Sequence, residues 1–328
     1  MKNASKIIGL TLLILLALEA MAWIWLNRTC QSLPFFYSPS TPPVNLGKFN
    51  YCQIDPLLGW DIGNPKTYQH SKGCILLQPA IKTNKPFVVY ISGGSTTDLL
   101  YDSLNWPALL HKKILQNQLP IQIQLASVAG YNSGQELLKL LRFNPPAPNL
   151  HLSYSGANEI ENPDFVSSYE QSIYQQALYP KPSKFLPNLV HLLRPKSTLV
   201  LSKPFRNKPS SYWLNNMKTM NNLAVAQGYS FVGILQPVAG VSCKIPDSIA
   251  PGALQYLKLY PDFYGSVRME IPKLNYLLDL SSSFQNETES PFLDDCHLKN
   301  KLYQQQIANR IYEVIVKHYN EKRNETNE

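Results

Sequence analysis

The chain has 328 residues, of which 44% are hydrophobic and only 16% are charged. A disordered chain combines little apolar material with a high net charge, so this composition excludes disorder. A single long apolar run and a slightly negative mean hydropathy argue against a polytopic membrane protein. The net charge of +8 comes without any run of Lys and Arg interleaved with aromatic residues, so nucleic-acid binding is not expected.

The apolar run spans residues 7–26 and is preceded by two lysines. Twenty helical residues extend about 30 Å, the thickness of a bilayer core. Lysines ahead of such a run favour a cytoplasmic N-terminus, which puts the rest of the chain in the periplasm or at the cell surface. The sequence therefore predicts a single-pass membrane protein, with residues 1–29 as cytoplasmic tip and signal anchor. A cleaved signal peptide is the alternative, because Ala20 and Ala22 fit a small-x-small cleavage pattern.

The exported part divides at about residue 85. Residues 30–84 are interpreted as a proline-bearing, extended stalk followed by an irregular lead-in. In residues 85–328, short β-rich runs alternate with longer amphipathic stretches, which indicates βαβ units and one doubly wound α/β domain. Ligands of such domains bind beyond the carboxyl ends of the strands.

The predicted elements of this domain follow in chain order. The strands are 87–91, 121–127, 150–154, 198–202 and 230–235, and the helices are 97–117, 135–142, 212–227 and 300–319. Ser133 and Glu136 have the spacing of a capping box for the second helix. An irregular, aromatic-bearing stretch at 238–285 is expected near the site, where its rings either contact substrate or pack into the domain. The five cysteines form no CxxC pair, and one or two disulfides fit an exported domain.

Small and polar residues follow the first three predicted strands. Two glycines precede Ser95, allow a sharp turn, and place this serine at the predicted start of a helix, which favours negative charge nearby. A phosphate-binding turn is the alternative, although the Walker lysine and the GxGxxG pattern are absent. Gly130 follows the second strand and Asn158 the third. Each is a candidate for the same pocket, and each also fits an ordinary turn or cap.

An Asp-Asp-Cys-His sequence precedes the last predicted helix. In a tight turn, the carboxylate of Asp294 reaches one imidazole nitrogen of His297 and leaves the other nitrogen to accept a serine proton. Asp295 is a second candidate for the acid that orients the imidazole.

These four blocks resemble, in order and spacing, the SGNH (GDSL-like) hydrolase family over roughly residues 87–319. With the N-terminal anchor, the chain looks like membrane-anchored bacterial members. The resemblance implies a three-layer α/β/α, flavodoxin-like fold with a parallel sheet. It also implies a catalytic triad of Ser95, Asp294 and His297, and an oxyanion hole built by Ser95, Gly130 and Asn158. No metal or other cofactor is implied.

Two blocks depart from the family pattern, since Gly-Asp-Ser becomes Gly93-Gly94-Ser95 and Gly-Asn-Asp becomes Ala157-Asn158-Glu159. Both keep the residue that would react or bind. We therefore expect an exported, membrane-anchored serine esterase that works through an acyl-enzyme. Its expected substrates are O-acetyl groups on envelope glycans or an acyl ester of a lipid. The alternatives are an O-acyltransferase for an envelope polysaccharide and a catalytically silent glycan-binding module.

Overall fold

The computed structural model describes residues 17, 18, 20, 21, 52–55, 58–62, 68–71, 73–143, 147–161, 209–241, 243–246, 249 and 254–325. The chain forms two compact units, Met1–Asp61 with Ile173–Arg206, and Ile62–Ser172 with Asn207–Glu328. The predicted strand at 198–202 and most of the predicted anchor lie outside the described residues. The four described residues of the anchor are helical. Within the described ranges, no helix has the length and apolar character needed to cross a membrane.

Short strands β1 (Cys52–Asp55) and β2 (Gly59–Ile62) form a two-stranded sheet. The strands of the main sheet are β3 (His70–Ser71), β4 (Cys74–Leu77), β5 (Phe87–Gly93), β6 (Ile121–Leu125), β7 (Leu150–Ser155), β8 (Ser230–Leu235) and β9 (Leu277–Asp279). The helices are α1 (Trp106–Gln116), α2 (Ser133–Phe143), α3 (Asn158–Glu161), α4 (Pro209–Gln227), α5 (Leu254–Leu257), α6 (Tyr260–Arg268) and α7 (Lys301–Glu325), with a 3₁₀ helix at Ile271–Lys273.

The main sheet has the order β3-β4-β6-β5-β7-β8-β9. Strands β5 to β9 are parallel to one another, and their spatial order (second, first, third, fourth, fifth) is that of flavodoxin-like sheets. The predicted α/β class with a mostly parallel sheet is thus confirmed. Strands β3 and β4 add an antiparallel edge within the predicted lead-in. At two and four residues they are too short to show a sequence period.

The middle of the sheet is buried on both faces. All six residues of β7 and six of the seven in β5 are buried. Burial on both faces explains the nearly continuous apolar run of β5, whereas β7 alternates apolar residues with His151, Ser153 and Ser155. Helix α1 packs against α7, and α2 packs against α4. In the sheet, β6 lies on one side of β5 and β7 lies on the other. The right-handed crossovers β5–α1–β6 and β6–α2–β7 therefore place α1 and α2 on opposite faces of the sheet.

The first helix begins at Trp106, so the predicted start at residue 97 is wrong. Residues 94–105 form turns instead. The Asp98 carboxylate accepts a hydrogen bond from the N–H of Leu100 at 2.9 Å, and Asp102 accepts one from Leu104 at 2.9 Å. Aspartates that bind the backbone two residues later favour turns over helix. Ser95 therefore does not lie at the N-terminus of this helix.

The capping box of α2 also differs from the prediction. The reciprocal pair is Asn132 and Gln135, in which each backbone N–H donates to the other side chain, at 3.1 and 3.3 Å. The helix begins at Ser133 itself, so the cap precedes it by one residue. Glu136, the predicted cap partner, is buried in the core.

The stretch at 238–285 is not irregular where it is described, because it contains α5, α6, the 3₁₀ helix and β9. The rings of Tyr260, Phe263 and Tyr264 are buried and pack edge-to-face on one another. They belong to the core rather than to a surface that contacts substrate. The described cysteine side chains, Cys74, Cys243 and Cys296, are thiols rather than disulfides.

Candidate active site

The predicted site residues meet at the carboxyl edge of the parallel strands. Ser95 lies two residues after β5, and its side chain is almost wholly buried, at 8% relative exposure. Gly130 lies in the loop between β6 and α2, and Asn158 is the first residue of α3, just after β7. The turn that carries Asp294 and His297 precedes α7. Parallel strands end at one edge of a sheet, so residues far apart in sequence converge there.

Ser95, His297 and Asp294 form a continuous hydrogen-bonded chain. His297 Nε2 lies 2.8 Å from Ser95 Oγ, and His297 Nδ1 lies 2.8 Å from Asp294 Oδ2. An ionised carboxylate only accepts hydrogen bonds, so Nδ1 carries the imidazole proton. Nε2 is then the acceptor for the hydroxyl proton of Ser95. This arrangement allows the imidazole to act as a base toward the serine.

The backbone around Asp294 holds this carboxylate in place. Asp294 Oδ1 accepts hydrogen bonds from the N–H groups of Cys296 and His297, at 3.0 and 2.7 Å. Burial by itself raises the pKa of Asp294, but these bonds and the His297 side chain outweigh it, so its pKa lies below the usual value. The alternative acid, Asp295, is turned away and accepts a hydrogen bond from Tyr260 Oη at 2.5 Å.

The expected oxyanion donors are the backbone N–H groups of Ser95 and Gly130 and the side-chain amide of Asn158. Among the described residues, none accepts a hydrogen bond from the backbone N–H of Ser95 or Gly130. Gly130 has a φ of 81°, in the left-handed region that favours glycine. Asn158 Nδ2 donates to Tyr131 O at 2.6 Å, which ties α3 to the loop of Gly130 and leaves its second N–H available. The side chain of Asn158 therefore joins the start of α3 to the loop between β6 and α2 and does not cap a turn.

Close packing connects the asparagine to the serine turn. A Cβ added at Gly94 would lie only 2.4 Å from Asn158 Nδ2. The amide of Asn158 thus occupies the space that a side chain before Ser95 would need. In this chain a side chain at position 94 would therefore require the Asn158 amide to move.

Three neighbours of the triad are not apparent from the sequence. Asp98 is fully buried, and its carboxylate accepts the N–H of Ala129 at 2.9 Å. The ring of Tyr101 stacks on His297 with centroids 5.0 Å apart. Thr96 donates a hydrogen bond to the Gln236 side chain at 3.1 Å. Only Asp98 has a sequence signal, because an aspartate soon after paired glycines favours a turn.

A buried polar cluster lies beneath the site. Ser92 and Ser153 each donate a hydrogen bond of 2.6 Å to Glu136, and Ser92 Oγ lies 3.1 Å from His151 Nε2. Burial raises the pKa of Glu136 to about 8, although the two serines oppose the shift. Burial lowers the pKa of His151 to about 3. Both side chains are therefore neutral at pH 7.

No protein-family model matches the sequence, and no curated protein matches it. Solved structures similar to this chain include the acetyl xylan esterase AlAXEase, with 13% identity, a TM-score of 0.43, and coverage of 69% of this chain and 98% of that chain. A catalytic mutant of Axe2, an acetylxylan esterase from Geobacillus stearothermophilus, has 10% identity, a TM-score of 0.45, and coverage of 72% and 96%. A GDSL-like lipase from Bacteroides thetaiotaomicron has 13% identity, a TM-score of 0.39, and coverage of 72% and 91%. These similarities are too distant to indicate the activity of this chain.

Proposed function

We propose that this protein is a serine esterase of the SGNH type, on a three-layer, flavodoxin-like α/β/α domain. One observation carries the proposal: His297 Nε2 lies 2.8 Å from Ser95 Oγ, while Nδ1 of the same ring faces Asp294 at 2.8 Å. A serine activated by an oriented imidazole is the nucleophile that acyl transfer requires.

The proposed reaction has two halves. As Ser95 Oγ attacks the ester carbonyl carbon, its proton passes to His297 Nε2, and Asp294 stabilises the imidazolium that forms. The oxyanion of the tetrahedral intermediate accepts hydrogen bonds from the N–H groups of Ser95, Gly130 and Asn158. Nε2–H then protonates the leaving alcohol, and the acyl group stays on Ser95. In the second half, Nε2 takes a proton from water as the water oxygen attacks the acyl carbon. The bond between this carbon and Ser95 Oγ then breaks, Nε2–H returns its proton to Oγ, and the acid leaves.

The location and the substrate are proposed on the sequence alone. The apolar run at 7–26 and the lysines before it support a membrane anchor, with the catalytic domain in the periplasm or at the cell surface. A domain held there meets envelope glycans and lipids. We therefore propose O-acetyl groups on a glycan, or an acyl ester of a lipid, as the substrate.

Labelling of the full chain with a fluorophosphonate probe, followed by mass-spectrometric mapping, tests the nucleophile. The label is expected on Ser95 and absent in Ser95→Ala, which should also lose about 10³-fold or more of its turnover of a short-chain aryl ester. Ser103→Ala is the matched control, because Ser103 is an exposed serine nearby in the chain. A label on any other residue would overturn the proposal.

A transfer assay and the same labelling experiment separate the two alternatives. An O-acyltransferase would form product from an acyl donor only when a glycan acceptor is present. A silent glycan-binding module would leave Ser95 unlabelled while its circular dichroism spectrum shows a folded domain. Either result would contradict the proposed hydrolysis.

A further inference from the structure

The thiol of Cys296 lies beside the triad but takes no part in the proposed reaction. Its Sγ is 3.6 Å from His297 Nδ1, the nitrogen that also faces Asp294. One ligand atom each from Asp294, Cys296 and His297 lies within 4.8 Å of the others. A carboxylate oxygen, a sulfur and an imidazole nitrogen thus lie close together in one turn.

These are the donors that bind Zn²⁺ in proteins. A tetrahedral ion with a Zn–S bond of about 2.3 Å and a Zn–N bond of about 2.0–2.1 Å holds its sulfur and nitrogen ligands about 3.6 Å apart. The observed separation of Cys296 Sγ and His297 Nδ1 is 3.6 Å. The separation of oxygen and nitrogen on such an ion is about 3.4 Å, and the two oxygens of Asp294 lie 2.8 and 3.1 Å from Nδ1. The carboxylate would therefore have to move away from Nδ1 by a few tenths of an ångström to take its place on the ion.

The exposure of the three side chains gives an ion a route from solvent. The Asp294 side chain is 40% exposed and that of His297 is 20% exposed, whereas Cys296 is buried, at 5%. An ion would meet the carboxylate first, and the thiol would close the site from the protein side. Water would supply a fourth ligand on the exposed side.

We propose that Asp294, Cys296 and His297 form an inhibitory site for a thiophilic divalent cation such as Zn²⁺ or Cd²⁺. Binding takes the lone pair of His297 Nδ1, so its proton leaves and the ring takes up one proton at Nε2. The Cys296 thiol also loses its proton, so one proton is released to solvent for each ion bound.

The consequence for catalysis follows from the tautomer. With a proton on Nε2, the imidazole donates to Ser95 Oγ and has no lone pair left to accept the serine proton. Asp294 is engaged by the metal at the same time. The ion therefore blocks the first proton transfer. This inhibition rests on the proposed esterase function, whereas the binding of the ion does not.

Titration of the full-length protein with Cd²⁺ separates these two statements. Binding to a thiolate is followed by the ultraviolet charge-transfer absorbance between sulfur and metal, and turnover of the aryl ester is measured on the same samples. We expect one Cd²⁺ per chain and reversal of both effects by a chelator. Cys296→Ser and Cys296→Ala should lack this absorbance, and the inhibition of each variant is measured relative to its own turnover without the metal.

Loss of a metal ligand should weaken inhibition by more than the roughly 10- to 100-fold that loss of an outer-shell partner costs. Cys243→Ser is the matched control, since Cys243 is a half-buried thiol elsewhere in the domain, and it should behave as the wild type. An absorbance that persists in both Cys296 variants, or that never appears in the wild type, would overturn the site. A band that depends on Cys296 in a protein without esterase activity would keep the site and overturn the proposed function.

Discussion

Asp98 accepts a hydrogen bond from the N–H of Ala129 at 2.9 Å, while its other carboxylate oxygen accepts the N–H of Leu100. The first bond ties the turn that carries Ser95 to the loop that carries Gly130. Because the carboxylate is fully buried, both bonds are shielded from water. Asp98 is thus a positioning residue for the proposed nucleophile and for a proposed oxyanion donor.

Replacement of this carboxylate should therefore impair catalysis. Asp98→Asn puts an NH₂ group against one of the two backbone N–H donors and removes one bond. Since a buried N–H left without an acceptor costs about 1–3 kcal/mol, we expect kcat/KM for the aryl ester to fall about tenfold. Asp102→Asn is the control, because Asp102 makes the same local bond to Leu104 in an exposed position. Equal losses in the two variants would contradict the positioning role.

Gly94 should be intolerant of any side chain. In Gly94→Ala the new Cβ would stand 2.4 Å from Asn158 Nδ2 and displace this amide from the site. Loss of one oxyanion donor costs about 10²–10³ in kcat, and we expect a fall of that order. Gly265→Ala is the control, since no atom lies within 4 Å of its added Cβ.

A double-mutant cycle locates the cause of this fall. If Gly94→Ala acts through Asn158, then adding it to Asn158→Ala should change kcat little further. Full additivity of the two substitutions would show that the glycine acts by another route.

Glu136 should make the protein less stable as the pH rises. Its pKa is about 8 in the folded protein against 4.5 as the ordinary value, so the folded state binds more protons between these limits. The free energy of unfolding therefore falls between about pH 4.5 and pH 8, with a slope of up to about 1.4 kcal/mol per pH unit from this group. Below pH 4.5 both states are protonated, and above pH 8 both are ionised.

Urea unfolding of the wild type and of Glu136→Gln across pH 5–9 measures this contribution. Glutamine is neutral throughout, so the variant should lose most of the slope and be the more stable protein at pH 9. A shallower fall should remain, because burial also raises the pKa of Glu159. Parallel curves for the two proteins would mean that Glu136 does not titrate as its burial implies.

Much of the fold follows from local patterns that a linear sequence carries. The apolar runs of the central strands predict their positions, and β8 is observed at the predicted Ser230–Leu235. These predictions succeed because burial on both faces demands nearly continuous apolar residues. The strands β4 and β9 are not predicted, because they have too few residues to show a periodic pattern. The predicted start of α1 is misplaced because the Asp98 side chain accepts the N–H of Leu100 and so favours turns before the helix.

The candidate site also combines features that a local sequence pattern predicts with features that it does not. The Asp-x-x-His turn and the glycines before Ser95 could be predicted, because the interactions of each lie within a few residues. The sequence leaves the choice between Asp294 and Asp295 open, since both stand in one turn. In the structure the His297 imidazole faces Asp294, whereas the buried carboxylate of Asp295 accepts a hydrogen bond from Tyr260 of α6.

The sequence by itself determined the residue types of this protein's site, its α/β class and the long apolar segment ahead of it. The tertiary structure alone decided which of these residues meet. Ser95 and His297 are 202 residues apart, yet their side chains come within 2.8 Å. Tyr101 likewise reaches the ring of His297, and Asp98 the N–H of Ala129, only when the parallel strands end together at one edge. Such contacts depend on packing between distant segments, which no local pattern encodes.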